Sequence, residues 1–273
     1  MPELPEVETI VRDLRERIPG ATIKKVTVKH PDILVADYVA QFQRALRGRR
    51  MNSVDRRAKN IVIALDNGST LVVHLGMTGR LLVTETPRST GLRHVAVSFD
   101  LEDGRTLLYD DVRRFGRLEH FAAGHWDRRA LEFGVEPLSE AFTAGKLFEL
   151  TRLSISPIRN WLLDPYRVAG IGNIYANEAL FRARVRPTRR ANKLTRAESA
   201  LLRDTLRAVL QESIERRGTT LSDYRDASGQ EGAFLPLLQV YDRAGEPCVR
   251  CGTPIKRIVL SNRSAFYCPK CQR

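Results

Sequence analysis

Cysteine is absent from the first 247 residues of this 273-residue chain; its four cysteines all fall in the last 26. A disulfide framework spread through the fold is thereby excluded. No run of eighteen apolar residues occurs, so nothing reads as a membrane span. The opening residues Met1-Pro2-Glu3-Leu4-Pro5-Glu6 carry acids where a secretory signal carries bases, and no apolar core follows them. The expectation is a cytoplasmic protein without membrane association. Lysine is scarce, with eight residues against 37 arginines, and the last 23 positions contain neither Asp nor Glu. Internal repeats and low-complexity tracts are also missing. What is present, 42% hydrophobic and 28% charged residues, is the balance of an ordinary globular protein and excludes a wholly disordered or fibrous one. The length fits one large domain or two medium ones.

The net charge of +13 is lopsided: residues 1–150 hold 23 bases and 21 acids, whereas residues 151–273 hold 22 and 11. A basic half of this kind is the footprint of a polyanion partner, because neutralising phosphates releases counterions. Composition alone does not choose among DNA, RNA and an acidic membrane. Leu4, Val7, Ile10, Val11, Leu14 and Ile18 recur at three- and four-residue spacing, predicting a helix that stops before Pro19-Gly20. Alternating patterns predict strands over 22–29, then 61–65 and 70–75 flanking the turn Asp66-Asn67-Gly68-Ser69, then 80–84, 94–99, 105–109 and 117–121. Short strands at this spacing suggest a sandwich or barrel. From about residue 125 the period turns helical, near 139–150, 173–184 and 195–217, with Thr195-Arg196-Ala197-Glu198 as a capping box for the last. The turn-rich stretch 218–235 reads as a long loop, a feature that is often functional.

The cysteines form two pairs, Cys248-x-x-Cys251 and Cys268-x-x-Cys271, sixteen residues apart. Two such pairs close a tetrahedral thiolate site, and the expectation is one structural Zn2+. With four protein ligands no position is left for water, so the metal would shape a small module and do no chemistry. Between the pairs, 256–260 and 263–267 read as a hairpin. Arg263, beside its turn, is placed either to probe a groove or to lie in solvent. At the other end, Pro2 becomes a secondary amine if Met1 is removed, and such an amine is a better nucleophile near neutral pH than an ordinary lysine. Glu3 and Glu6 lie one residue and one helical turn away, within reach as proton donor and second carboxylate. Carboxylates at a helix N-terminus equally suit the macrodipole.

The run Pro2-Glu3-Leu4-Pro5-Glu6-Val7-Glu8-Thr9, together with the cysteine quartet, resembles the formamidopyrimidine-DNA glycosylase family, in its 8-oxoguanine-excising branch. Further matches span the chain: Arg56-Arg57-Ala58-Lys59, His74-Leu75-Gly76-Met77-Thr78-Gly79, Arg113-Arg114-Phe115-Gly116, Gly170-Ile171-Gly172-Asn173-Ile174-Tyr175 and Gln239-Val240-Tyr241. The resemblance implies an α+β, multi-domain fold. Its parts would be an N-terminal catalytic β-sandwich with an N-terminal helix (1–134), a helical helix-two-turn-helix DNA-binding domain (135–235) and a C-terminal zinc-binding β-hairpin (236–273), with DNA in the cleft between domains. It implies a glycosylase and lyase acting as a monomer on double-stranded DNA with oxidised bases or abasic sites, associated with the bacterial nucleoid through that DNA. Pro2 would attack C1′ of the damaged nucleotide, and β- then δ-elimination would follow. Glu3 would relay protons, Glu6 would assist, and Lys59 would grip a phosphate at the lesion.

A base within a duplex is out of reach, so it must be extruded and its space filled. The resemblance assigns that filling to Met77, Arg113 and Phe115, phosphate contacts to His74, Asn173, Tyr241 and Arg263, and closure over the extruded base to the loop near 218–235. Without the resemblance, Met77 and Phe115 read as core residues and His74 as a hydrogen-bonded strand histidine. The chain departs from the family's pattern at Ile155, where a base is frequent, at Pro165, where Gln is common, and at Val112, where Pro is frequent. Ile155 bears on lesion preference. Two other readings follow from the same residues: an endonuclease VIII-like enzyme for oxidised pyrimidines, against which Leu4 and the complete Met77, Arg113, Phe115 set count, and a catalytically silent DNA-binding module, against which Pro2, Glu3 and Glu6 count.

Overall fold

A computed structural model describes residues 2–35, 38–85, 91–221 and 224–273. Met1, whose removal is expected above, and residues 222–223 of the 218–235 loop lie outside the described residues. The chain forms two compact units, Met1–Leu131 with Arg216–Ala233, and Glu132–Glu215 with Phe234–Arg273.

The first unit opens with helix α1 (Leu4–Arg15), whose apolar residues spaced three and four apart bury one face. Two four-stranded antiparallel sheets follow. One has β1 (Ile23–Val28), β6 (Val95–Leu101), β7 (Thr106–Asp111) and β5 (Gly79–Thr84) in that spatial order, and the other has β2 (Met51–Arg57), β3 (Asn60–Leu65), β4 (Thr70–His74) and β8 (Arg117–Phe121). Inward residues of both sheets, among them Ile61, Ile63, Leu71, Leu81, Phe99 and Leu107, join Val7, Ile10, Val11 and Leu14 of α1 in one apolar core. Of the sandwich or barrel that the alternating pattern suggests, this is the sandwich, as the resemblance implies. Two elements were not legible in that pattern: α2 (Val39–Leu46) and β2. In β2 a register shift between Met51 and Ser53 interrupts the alternation, and the strand continues through the charged Asp55, Arg56 and Arg57. A short helix α3 (His125–Ala130) ends the sandwich.

Residues 216–233 return to this unit as a mostly irregular loop, closed by a bridge between Thr219 and Ala233. Arg217 holds it down through Asp13 on α1 and Asp226 of the loop itself, both at 2.6 Å.

The second unit contains α4 (Ala144–Arg152), α5 (Ile158–Leu162), α6 (Asn173–Arg182) and α7 (Arg196–Glu215). The expected capping box of α7 is present: Thr195 N–H donates to Glu198 Oε2 (2.8 Å) and Glu198 N–H to Thr195 Oγ1 (3.2 Å). The five-residue α5 is too short to announce itself by period. At the end of the chain β9 (Lys256–Leu260) and β10 (Arg263–Tyr267) pair as the predicted hairpin. Ser261 and Asn262 both have positive φ, as a two-residue primed turn demands. No helix of the described residues is long and apolar enough to cross a membrane.

Candidate functional site

In the first unit the head of α1 is a buried, polar corner. Pro2 is buried, and Glu3 and Glu6 are 3% and 1% exposed. Glu6 faces two backbone donors: Glu3 N–H reaches Oε2 at 2.7 Å and Thr219 N–H reaches Oε1 at 2.8 Å. Its carboxylate therefore fixes the residues after Pro2 and fastens the returning loop to them. Gly218 explains how the loop comes so close, since its φ is +88° and a Cβ there would lie 2.9 Å from Glu6 Oε1. Tyr224 also closes on this corner, and burial, then the nearby Glu6 carboxylate, pushes its phenol well above the usual range.

Lys59 sits in the tight turn joining β2 and β3, where the preceding Ala58 has φ 54°. Arg56 ties that turn to α1, donating to Glu8 Oε2 at 3.0 Å and to the Ala58 carbonyl at 2.9 Å. His74, at the end of β4, is paired with Asn60 in register, and its Nδ1 lies 3.2 Å from Asn60 Oδ1. Burial, then the charge of Lys59, holds the imidazole below its ordinary range. His74 thus has the strand hydrogen bond expected without the resemblance and also stands beside Lys59.

Beyond His74 the chain turns through Gly76 and Met77 into β5, while Arg113 and Phe115 occupy the turn between β7 and β8. These two turns abut: a Cβ on Gly76, which has φ +63°, would lie 2.5 Å from Gly116 N. Met77 and Phe115 are 39% and 51% exposed, which overturns the core assignment that spacing alone gives them. The guanidinium of Arg113 lies over the Phe115 ring, 4.8 Å from its centroid. Beneath them lies Asp111, 1% exposed, which sequence reasoning missed. Strand alternation could have found it, since it follows Leu107 and Tyr109 on the core face of β7.

In the second unit Asn173, Tyr241 and Arg263 gather around the C-terminal hairpin. Asn173, the first residue of α6, donates from Nδ2 to the carbonyl of Ser264 at 3.0 Å. Arg159, fully buried, donates to Asn173 Oδ1 (2.6 Å), to the Ser264 carbonyl (2.9 Å) and to the Leu260 carbonyl (3.0 Å), bracketing the turn that exposes Arg263. Glu178, also fully buried, accepts the consecutive N–H groups of Gln239, Val240 and Tyr241, each at 2.9 Å. Burial pushes its carboxyl up, while those three amides oppose the rise. The Tyr241 ring meets Phe266 edge-on with centroids 5.2 Å apart. Asn177 completes the clasp, taking Phe266 N–H on Oδ1 at 2.7 Å. Arg159, Asn177 and Glu178 also escaped the sequence reading, although a charge amid Ile158, Trp161 and Leu162, or amid Ala176, Ala179 and Leu180, is the signal of a buried tie.

Cys248, Cys251, Cys268 and Cys271 bring their four Sγ atoms within 4.8 Å of one another. Sγ separations of 4.0 Å for Cys248–Cys271 and 3.5 Å for Cys251–Cys268 suit the edges of a tetrahedron with Zn–S bonds of about 2.3 Å. Arg250 N–H and Cys271 N–H point at the sulfurs of Cys248 and Cys268, as knuckle turns around a thiolate-bound metal do. The quartet fits one structural zinc. Of the three departures, Ile155 and Val112 are exposed at 71% and 50%, and Pro165 is also at the surface.

The family model described as formamidopyrimidine-DNA glycosylase N-terminal domain matches residues 1–118, that of the H2TH domain matches residues 133–225, and a zinc finger found in FPG and IleRS matches residues 245–273. A formamidopyrimidine-DNA glycosylase of Pelotomaculum thermopropionicum is 43% identical over 275 residues, covering 100% of this chain and 99% of its own length. The crystal structure of the MutM (Fpg) protein from Thermus thermophilus superposes with a TM-score of 0.87 at 43% identity, covering 99% of this chain and 98% of that one. The Lactococcus lactis Fpg in complex with DNA containing an abasic site superposes with a TM-score of 0.91 at 31% identity, covering 100% of both chains. With all three domains matched in order and full-length relatives at this identity, the chain belongs to the formamidopyrimidine-DNA glycosylase family.

Proposed function

We propose that this protein is a bifunctional DNA glycosylase and apurinic/apyrimidinic lyase that removes oxidised purines, 8-oxoguanine and formamidopyrimidines, from double-stranded DNA in base excision repair. The observation that carries the reading is the buried corner at the head of α1, where Pro2 stands beside Glu3 and the doubly held Glu6 in a chain of this family. With Met1 removed, the Pro2 nitrogen attacks deoxyribose C1′. The C1′–base bond breaks, the base leaves with a proton, and the sugar opens to an iminium on the proline nitrogen. That cation withdraws electrons, so a C2′ proton is lost and the 3′ phosphate departs; a second elimination releases the 5′ phosphate. Glu3 is the proton relay at the opening sugar. Glu6, its oxygens taken by two backbone amides, assists by holding Pro2 and Glu3 in place.

Lys59 and His74 take phosphates flanking the lesion, and Met77, Arg113 and Phe115 enter the space the extruded nucleotide leaves. Asn173, Tyr241 and Arg263 hold phosphates from the second unit. Zinc on the four cysteines keeps the hairpin folded and supplies no chemistry to the reaction. The protein acts as a monomer in the cytoplasm, on nucleoid DNA. The test is cleavage of duplexes containing 8-oxoguanine or an oxidised pyrimidine, with borohydride present in parallel. Faster cutting at 8-oxoguanine and a covalent adduct that disappears in Pro2→Gly are expected. Binding with neither cutting nor adduct marks a silent module and contradicts the proposal, and faster cutting at the pyrimidine contradicts the assigned substrate class.

A further inference from the structure

The residues proposed to fill the duplex lie on two separate turns, and a long exposed side chain on a loose turn does not wedge anything. We propose that Asp111 is the positioning residue that makes the two turns one platform, an inference resting on the excision reading above. Its carboxylate is shared evenly. Oδ1 accepts the Thr78 hydroxyl at 2.5 Å and Arg113 N–H at 3.3 Å, and Oδ2 accepts Gly116 N–H at 2.9 Å and the Tyr109 hydroxyl at 3.1 Å. Thr78 Oγ1 also accepts Arg113 N–H at 3.1 Å. Thr78 follows Met77; Arg113 and Gly116 enclose Phe115. One carboxylate therefore touches the chain next to every member of the exposed set.

The arrangement needs a carboxylate and not merely a polar group. Each oxygen faces one hydroxyl, which can turn, and one backbone N–H, which cannot. In Asp111→Asn the amide nitrogen replaces one oxygen, and whichever way the side chain flips it presents N–H to N–H at either Arg113 or Gly116. The variant keeps the shape and the apolar neighbours while undoing one tie of the platform. Either flip is costly: at Gly116 the buried N–H is left unmet, and at Arg113 the N–H keeps the Thr78 hydroxyl oxygen while that hydroxyl loses Asp111 as its acceptor. The stack of Arg113 on Phe115 fits the same purpose, because it holds the guanidinium over the ring before any base is displaced.

The experiment compares wild type and Asp111→Asn on two substrates: a duplex with paired 8-oxoguanine, where a base must be extruded, and a single-stranded abasic oligonucleotide, where none is. Wild-type adduct formation on the abasic strand tests the underlying reading separately; its absence sinks that reading, whatever the variant does. Given it, roughly tenfold or greater loss of duplex excision is expected in Asp111→Asn, the effect of one unmet buried donor, with trapping on the abasic strand within about twofold of wild type. Combining Asp111→Asn with Phe115→Ala is expected to cost little beyond the worse single change, because both disable one device. Equal duplex activity in variant and wild type overturns the proposal, as does equal loss on both substrates or full additivity. Should the variant not fold, amide exchange in the wild-type protein decides: Arg113 and Gly116 N–H are expected to be protected although they lie in a turn, and exchange at open-loop rates contradicts the proposal. Thr78→Val, which removes a single neutral donor, is expected to show a smaller loss of duplex excision in the same direction, and none refutes the platform.

Discussion

The sandwich and the C-terminal hairpin both present exposed side chains on tight turns, yet they hold those turns by different means. The sandwich has an apolar core drawn from two sheets and a helix, so its backbone is fixed before any polar group is considered. There Asp111 and Glu6 gather loop amides, and Arg56 and Arg217 tie turns to α1. The hairpin joins a cluster whose fully buried members are Phe181, Val240, Cys248, Ile255, Phe266 and Cys268, and two of those are metal ligands. So few apolar groups do not offset the entropy of ordering the segment, and a metal and a buried cation supply what is missing. Where the core is large, charge refines position; where it is small, charge and metal determine whether there is a fold at all. Perturbing the two regions should accordingly give failures of different kinds.

The largest effect is expected from Cys248→Ser or chelation of zinc. Structural zinc contributes on the order of 10 kcal/mol in small metal-held modules, so the hairpin should unfold and DNA affinity should collapse while the sandwich stays folded. Near-ultraviolet and far-ultraviolet dichroism, with a DNA titration of the metal-free protein, check this; unchanged affinity would erase the distinction between the regions. Arg159→Met comes next. It removes the guanidinium donor from the Leu260 carbonyl and one of two side-chain donors from the Ser264 carbonyl, which keeps Asn173 Nδ2; at about 1–3 kcal/mol for a buried acceptor left unmet, it should lower the melting temperature and weaken binding without touching the adduct chemistry of Pro2. Glu6→Gln is the sandwich counterpart. One of its two backbone donors must then face an amide N–H, a loss of about 1–3 kcal/mol, and hydrogen exchange at Glu3 and Thr219 should rise together with a fall in turnover.

The smallest effect concerns acid. Burial, then the charge of Lys59, lowers His74 from the ordinary 6.5 of an exposed imidazole. Above that value the ring is uncharged in both folded and unfolded chains and contributes nothing. As pH falls below it the unfolded chain binds a proton first, so stability should decrease with acidification, and His74→Asn should flatten that slope. A stability profile with no dependence on position 74 would show that the ring titrates alike in folded and unfolded chains and contradict this.

Most of the framework was legible because it is written locally. The three- and four-residue spacing of α1, the alternation of the strands, the Thr195–Glu198 box and the cysteine spacing each lie within a few residues of what they specify. The exposure of Met77 and Phe115 was not, since an apolar side chain near a strand end normally turns inward; the carboxylate that gathers their turns, Asp111, comes from the β7 strand. Arg159 and its acceptors at Leu260 and Ser264 lie about a hundred positions apart, and no local pattern joins them. Likewise the segment 216–233 follows a helix of the second unit in sequence but packs with the first, because Glu6 and Asp13 at α1 supply its partners.

The central claim is that the proline nitrogen at the head of α1 forms the bond to the sugar. Borohydride reduction of the protein on abasic DNA, followed by nuclease digestion, proteolysis and mass spectrometry of the crosslinked peptide, tests it most directly. The expected product is a reduced sugar fragment on the nitrogen of Pro2 in a chain lacking Met1. A crosslink on Lys59 or any other side chain, or fully active protein with Met1 still attached, would contradict it.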